Sequence, residues 1–151
     1  LVRALALVLN VRYAFVSEFT GSNSRVRTLA FWSGKGFSEN FEYDIRGTPC
    51  ERVLRGETCH YPEGVRKLFP LATDWVGVAA EGYLATPLTD KAGVVLGHLA
   101  ILDVKSMSVV LHELSLIRIF SSRAAAELQL TRVETALKER EEQVRLLQRG
   151  H

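Results

Sequence analysis

Residues 94–104 form a strand whose two faces are both apolar, and this feature constrains the fold more than any other. Alternate side chains of a β-strand point to opposite sides, so a strand with one face in water alternates apolar and polar residues. Here both alternate sets are largely apolar: Val94, Leu96, His98, Ala100 and Leu102 form one, and Val95, Gly97, Leu99, Ile101 and Asp103 the other. The pattern predicts a central strand covered on both sides by helical layers.

This strand is the second half of a β-hairpin. Residues 83–89 precede it, and residues 90–93 supply an aspartate that can bond its own backbone and a glycine for a left-handed exit. Pro87 cannot donate to a strand ladder, so the first strand should be at an edge or bulged there. At Gly97 we expect a helix to pack closely against the strand, in preference to a ligand. We expect His98 to be a hydrogen-bonded core residue, in preference to a residue that contacts a ligand.

No proline or glycine interrupts residues 108–149, which predicts one long helix. Its first half has a broad apolar face suited to packing on a sheet. Its second half narrows to a stripe with the 3-4 spacing of a coiled coil, interrupted by Arg140. A stripe this narrow on a charged helix cannot be buried within one chain, so we expect it to pair two copies. The predicted dimerisation residues are Leu130, Val133, Leu137, Val144 and Leu147.

Shorter elements are predicted around this hairpin and helix. An apolar helix over residues 1–10 should stop at Asn10. Strands are expected at 11–18, 25–33, 41–46 and 57–61, and short helical segments at 48–55, 65–68 and 74–78.

The clearest helix start is at residues 48–51. Thr48 supplies a capping hydroxyl, Pro49 suits the first helical position, and Glu51 completes a capping box. Cys50 then lies in the first turn, where the helix dipole and unpaired N–H groups favour a thiolate.

Composition excludes several classes of protein. Of the 151 residues 47% are apolar and 24% charged, which is typical of a globular domain, and the net charge of +2 is too small and dispersed for nucleic-acid binding. No segment approaches the roughly 18 apolar residues of a membrane span. Two cysteines, Cys50 and Cys59, fit a reducing compartment, so we expect a cytoplasmic protein without membrane contact. Because the chain starts at Leu1 without methionine, we expect a piece of a longer polypeptide, with residues 150–151 left from cloning.

The order of elements and several local motifs resemble a GAF domain of bacterial sensor kinases and related signalling proteins. The match covers about residues 1–130. It is carried by Gly47-Thr48-Pro49-Cys50 with Val53 and Gly56, Tyr61-Pro62, Phe69-Pro70, residues 83–88, Gly93, Leu96-Gly97-His98-Leu99, Asp103 and residues 119–128. The resemblance implies an α+β fold, PAS-like, with a central antiparallel sheet of five or six strands and helices on both faces. It implies a sensory domain over residues 1–128 and a signalling helix over residues 129–149 that leads to an output domain.

In this family a ligand pocket lies between the sheet and short helices that roof it. The resemblance places Phe31, Tyr43, Cys50, Tyr61, Trp75, Tyr83, Thr86 and, by default, His98 around it. The asparagine-lysine-phenylalanine-aspartate-glutamate signature of cyclic-nucleotide-binding members and the cysteine context of bilin-binding members are missing. No haem ligand is apparent, so no cofactor is identifiable, and an unidentified small molecule or no ligand remains.

Three functions follow from these observations. The first is a regulatory sensor that dimerises through its last helix and signals to a covalently attached output domain. The second is a thiol enzyme, since one GAF class reduces free methionine sulfoxide with pocket cysteines; Cys59 is the only candidate partner for Cys50. The third is a ligand-free structural dimerisation module. We expect no metal site, because Cys50 and Cys59 are nine positions apart and only His60 adds a nearby ligand. We expect no catalysis, because His112-Glu113 lacks the second histidine of a zinc protease helix and no serine lies on a nucleophile elbow.

Overall fold

A computed structural model describes residues 1–21, 23–70, 80–108 and 111–150. Its elements in chain order are α1 (Val2–Leu9), β1 (Tyr13–Phe19), β2 (Arg25–Trp32), β3 (Glu42–Asp44), α2 (Cys50–Val53), β4 (Cys59–Tyr61), α3 (Val65–Leu68), β5 (Gly82–Thr89), β6 (Val95–Asp103) and α4 (Leu111–Arg149). Each lies within a few residues of its predicted position. The helix expected over residues 74–78 lies outside the described residues.

The strands form one antiparallel sheet in the order β3-β2-β1-β6-β5-β4. The β5–β6 hairpin therefore lies inside the sheet, with β6 next to β1. Its turn is closed by Asp90, whose Oδ1 accepts hydrogen bonds from the backbone N of Ala92 and of Val94, both at 2.9 Å. Gly93 takes a positive φ of 83°, which only glycine adopts without strain. The predicted hairpin is confirmed, and so is the predicted α+β class with an antiparallel sheet of five or six strands, of which the structure has six.

Helices cover both faces of the sheet, as the two apolar faces of β6 predict. On one face α1 and α4 pack through Leu5, Ile117 and Leu128 against Leu99 and Ile101 of β6. On the other face α2 and α3 contribute buried side chains to a second cluster, which also contains Ala100 and Leu102 of β6. Full burial of each leucine or isoleucine contributes about 2 kcal/mol, so β6 stabilises both layers at once.

Pro87 and Gly97 lie where the hairpin departs from a regular ladder. The edge strand β4 pairs only with residues 83–85 of β5, so Pro87 lies beyond the end of β4, and a register shift follows at Leu88 and Thr89. β5 is thus not an edge strand of the sheet, and Pro87 is at an edge only locally, where β4 has ended, with the irregularity just after it. Gly97 is close-packed, but a Cβ there would lie 1.9 Å from the backbone oxygen of Ser17 in β1. The neighbour is a strand backbone, so the helix contact expected at Gly97 is wrong.

The ends of the first two helices follow local chemistry. Asn10 ends α1 in the left-handed conformation, with φ 54°. Helix α2 begins at Cys50 with Pro49 as its N-cap, and the Thr48 hydroxyl accepts from the backbone N of Cys50 at 3.2 Å and not from that of Glu51 as a capping box would. Helix α2 ends at Val53, two residues earlier than predicted, and Glu51 forms an ion pair with Arg55 at 3.8 Å where the capping box expected a backbone bond.

Helix α4 runs for 39 residues without a break. Its N-terminal half packs on the sheet, and its C-terminal half carries exposed apolar side chains. Across the described part of the chain, no helix has both the length and the apolar character needed to cross a bilayer.

Candidate functional site

The face of the sheet under α2 and α3 carries a cluster of aromatic side chains. Phe15 and Phe31 stack with their ring centroids 5.2 Å apart, and Tyr43 meets Phe15 edge-on at 6.5 Å. Tyr61 joins from β4, with its ring centroid 6.0 Å from that of Tyr83. We call this group the aromatic cluster; its members are Tyr13, Phe15, Phe31, Phe41, Tyr43, Tyr61 and Tyr83, with the Cys50 thiol among them.

Cys50 lies at the centre of the aromatic cluster. The Tyr83 hydroxyl donates to its Sγ at 3.3 Å, and the Tyr43 hydroxyl lies 3.3 Å from the same atom. Burial raises the pKa of the Cys50 thiol to about 11, which outweighs the hydrogen bonds that favour the thiolate. The expectation of an activated thiolate at this helix start is therefore wrong, because the helix contributes only four residues while the site excludes water completely.

Cys59 and His60 are neighbours on the edge strand β4. Both cysteines are free thiols, and burial also raises the pKa of Cys59. His60 is exposed and its Nε2 lies 2.8 Å from the carbonyl oxygen of Met107, which occupies that nitrogen. Among the described residues no three histidine, cysteine or acidic side chains are grouped so that they could hold a metal ion.

His98 is fully buried on the same face as the aromatic cluster. Its ring meets Phe15 edge-on at 5.2 Å, and its Nδ1 forms a hydrogen bond with Ser17 Oγ. Burial lowers the pKa of the imidazole to about 3, so it is neutral at physiological pH. Its Nε2 is buried without a hydrogen-bond partner in the described part of the chain. His98 is thus a core histidine whose Nδ1 is hydrogen-bonded and whose Nε2 has no partner among the described residues.

The structure separates one predicted pocket residue from the rest. Directly opposed residues of antiparallel strands share a face, and Thr86 is opposite Leu99, which packs under α1 and α4. The Thr86 hydroxyl lies 3.1 Å from that of Thr58. The placement of Thr86 in the pocket wall is therefore wrong, and Trp75 lies outside the described residues. The side chains brought together are Phe31, Tyr43, Cys50, Tyr61 and Tyr83, with His98 on the same face.

The predicted pocket residues leave out Tyr13, Phe15 and Phe41 of the aromatic cluster, and Ser17 on the same face. The signal that finds them is a period of two: Tyr13, Phe15 and Ser17 alternate along β1, and Phe41 precedes Tyr43 by two positions. The Ser17–His98 contact joins residues 81 positions apart, so local pattern cannot reveal it.

A groove lies on the opposite face, between α4 and strands β1 and β2. It encloses about 770 Å³, with Leu29, Phe37 and Leu128 among its apolar walls. Glu18 crosses it, with its carboxylate 2.9 Å from Arg27 and 3.2 Å from Arg132 of α4. The pair with Arg132 joins α4 to β1 just before the helix projects away from the sheet, and the pair with Arg27 joins β1 to β2.

Beyond this groove the predicted dimerisation residues are exposed in the single chain. Leu130, Val133, Leu137, Val144 and Leu147 each expose between 47% and 71% of their surface. Their burial in a dimer stays a prediction.

No family model matches the sequence, and no curated protein matches it significantly. Several solved structures are similar to this chain in fold. The GAF domain of a phosphoenolpyruvate-protein phosphotransferase from Coxiella burnetii is 18% identical, with a TM-score of 0.71 over 89% of this chain and 82% of that one. A domain of a putative two-component sensor histidine kinase from Sinorhizobium meliloti is 16% identical, with a TM-score of 0.63 over 91% and 92%. The blue-light-absorbing PixJ GAF domain of Thermosynechococcus elongatus is 13% identical, with a TM-score of 0.64 over 91% and 86%.

Proposed function

We propose that this chain, whose fold is that of a GAF domain, is a regulatory sensory module. It binds a small molecule at the aromatic cluster and passes the effect through α4, as a homodimer, to an output domain in the parent polypeptide. One observation carries this proposal: α4 is a single 39-residue helix that is packed on the sheet through Ile117 and Leu128 and then projects an exposed apolar stripe. A helix built this way connects the domain to a partner mechanically.

The hairpin gives a physical route from the aromatic cluster to α4. Tyr83 and Ala100 face the cluster, while their chain neighbours Leu84 and Leu99 face α4. A ligand that displaces β5 or β6 therefore changes the surface on which α4 rests, because both faces belong to the same backbone. Transmission requires two arrangements of α4 that the ligand stabilises unequally.

The chemistry of the aromatic cluster favours an uncharged, ring-containing ligand. Aromatic walls with a few polar tips are typical of small-molecule sites. The thiol of Cys50 and the imidazole of His98 are both neutral at pH 7, so neither offers a charge to pair with an ionic ligand. The unpaired Nε2 of His98 offers one hydrogen bond.

The similar structures support a sensory role, since they include a domain of a putative sensor histidine kinase and a light-absorbing receptor domain. The thiol-reductase alternative loses its main support, because the raised pKa of Cys50 leaves little thiolate at neutral pH. A ligand-free dimerisation module is the remaining alternative.

Native mass spectrometry of the chain purified from its host tests ligand binding. We expect a co-purified molecule at one per chain that is released by unfolding in urea. The His98→Leu variant should lose it, because its hydrogen bond to the ligand is gone, while Ser121→Ala on the α4 side of the sheet should keep it. A wild-type chain that is always free of added mass supports the dimerisation module and contradicts sensing by ligand.

A further inference from the structure

The apolar stripe on α4 begins well before residue 130. Counting back from Leu130 with the same alternating spacing of three and four gives further positions that continue the stripe along the sheet-packed half of the helix. The full set, which we call the seam, is Leu116, Ile119, Arg123, Ala126, Leu130, Val133, Leu137, Arg140, Val144 and Leu147. In heptad notation these are alternating a and d positions, starting with Leu116 as a.

The seam lies on the side of α4 that faces away from the sheet. The buried residues of α4 are Ile117, Ser121, Ala124, Ala125 and Leu128, which fall at heptad positions b, c and f. Ile119 on the seam is 64% exposed, and Arg123 and Ala126 are exposed as well. Leu116 is half-buried, and from Ile119 onward the seam is exposed along the sheet-packed part and the projecting part of the helix.

A recess in the seam has the composition of a coiled-coil hole. It has a volume of about 350 Å³ and is lined by Leu137, Arg140, Glu141, Val144 and Arg145. The first four of these residues occupy positions a, d, e and the next a, and Arg145 follows at position b. In a parallel pair of helices, a hole of this composition receives the d side chain of the partner helix. In an in-register pair, the side chain that enters this recess is Arg140 of the other copy.

We infer that the seam pairs with a second copy of this chain, parallel and in register, with each Arg140 lying in this recess against Glu141 of the partner subunit. This inference rests on the dimer of the proposed function and adds its orientation, its register and its extension to Leu116. Arg140 is the one polar residue of the seam from Leu130 to Leu147, and in this arrangement it receives an opposite charge within the interface.

The acidic residues beside the seam oppose the antiparallel alternative. Glu127, Glu134 and Glu141 all occupy position e. An antiparallel pair places e opposite e, so acidic rows would face each other. A parallel pair places e opposite g, where Gln129, Ala136 and Gln143 carry no charge. The charge pattern therefore selects the parallel arrangement.

Cysteine cross-linking of the full chain tests orientation and extent. Leu147→Cys puts a thiol at a d position of the projecting part of the seam, and Ala126→Cys puts one at a d position of the sheet-packed part. Mild oxidation should give a covalent dimer of each. Leu146→Cys and Arg118→Cys are matched controls at position c and should stay monomeric on denaturing gels. Failure of Leu147→Cys to cross-link overturns the parallel arrangement, and failure of Ala126→Cys alone overturns the extension along the domain.

A charge exchange tests the Arg140 layer. Arg140→Glu should weaken the dimer by about tenfold or more in sedimentation equilibrium, because it places like charges in contact. Combining it with Glu141→Arg should recover most of the loss, whereas Lys138→Glu, with the same charge change at position b, should have little effect. Equal effects of Arg140→Glu and Lys138→Glu, or no recovery in the double variant, overturn the layer. A wild-type chain that is monomeric at all concentrations overturns the dimer of the proposed function itself.

Discussion

Lowering the pH from 7 to 5 should destabilise the folded chain by about 2 kcal/mol through His98 alone. The imidazole is fully buried beside Phe15, and one ring nitrogen is bonded to Ser17. Protonation in the folded state would place a charge in this apolar layer, so the folded chain resists it. The unfolded chain has no such restriction.

The sign and size follow from the two pKa values. The pKa of His98 is about 3 in the folded chain against 6.5 as the reference for an exposed imidazole. Between these values the unfolded state binds more protons, so stability falls as the pH decreases from 6.5 towards 3. At pH 5 the unfolded imidazole is about 1.5 pH units below its pKa, which is worth about 2 kcal/mol at about 1.36 kcal/mol per unit. Above about pH 7.5 His98 makes no contribution to the pH dependence.

Urea unfolding at pH 7 and pH 5 measures this effect. The reference is His98→Gln, which cannot titrate, and the quantity compared is the loss of unfolding free energy between the two pH values for each chain. Ser17→Ala removes the hydrogen bond but keeps the buried imidazole, so it should keep the wild-type pH dependence. If wild type and His98→Gln lose the same free energy, His98 is protonated in the folded state and the packing described for this face is wrong.

Further predictions concern other parts of the fold. Gly97→Ala should lower the free energy of unfolding in urea by about 3 kcal/mol, because its Cβ would lie 1.9 Å from the backbone oxygen of Ser17. The control Gly36→Ala has open space around its Cβ and should change this free energy by less than about 0.5 kcal/mol. Equal losses in the two variants would refute the close approach at Gly97. Iodoacetamide at pH 8 should leave Cys50 unmodified in the native chain and modify it after unfolding, as followed by peptide mass spectrometry, and rapid native labelling would contradict its burial. Arg132→Ala should lower stability by less than about 1 kcal/mol, because the ion pair with Glu18 is partly in solvent; a larger loss by thermal unfolding would mean that α4 depends on this contact.

Features that depend on local pattern are predicted well from the sequence. The sequence predicts the hairpin because both alternate sets of side chains in β6 are apolar. It predicts α4 because no proline or glycine occurs within the 39 residues of this helix. Asn10 ends α1 where a residue tolerant of the left-handed conformation is expected. The antiparallel class with helices on both faces then follows from the order of these elements.

Features that depend on distant neighbours are not predicted. Gly97 is close-packed because Ser17 of β1 lies beside it, and only the strand order reveals that neighbour. The Cys50 thiol stays protonated because it is buried between Tyr43 and Tyr83. This burial raises its pKa by more than the helix start and the hydrogen bonds lower it. Thr86 is a different kind of error, because a period of two already places it on the face opposite to Tyr83.

The central claim is that α4 connects the sensory domain to a second copy of the chain. Sedimentation equilibrium of the full chain and of a chain ending at Leu128 tests it most directly. The full chain should have twice the mass of one chain at micromolar concentration, and the shortened chain should be a folded monomer, since it keeps α4's contacts with the sheet but loses most of the seam. A shortened chain that still forms a tight dimer, or a full chain that stays monomeric, would contradict the account.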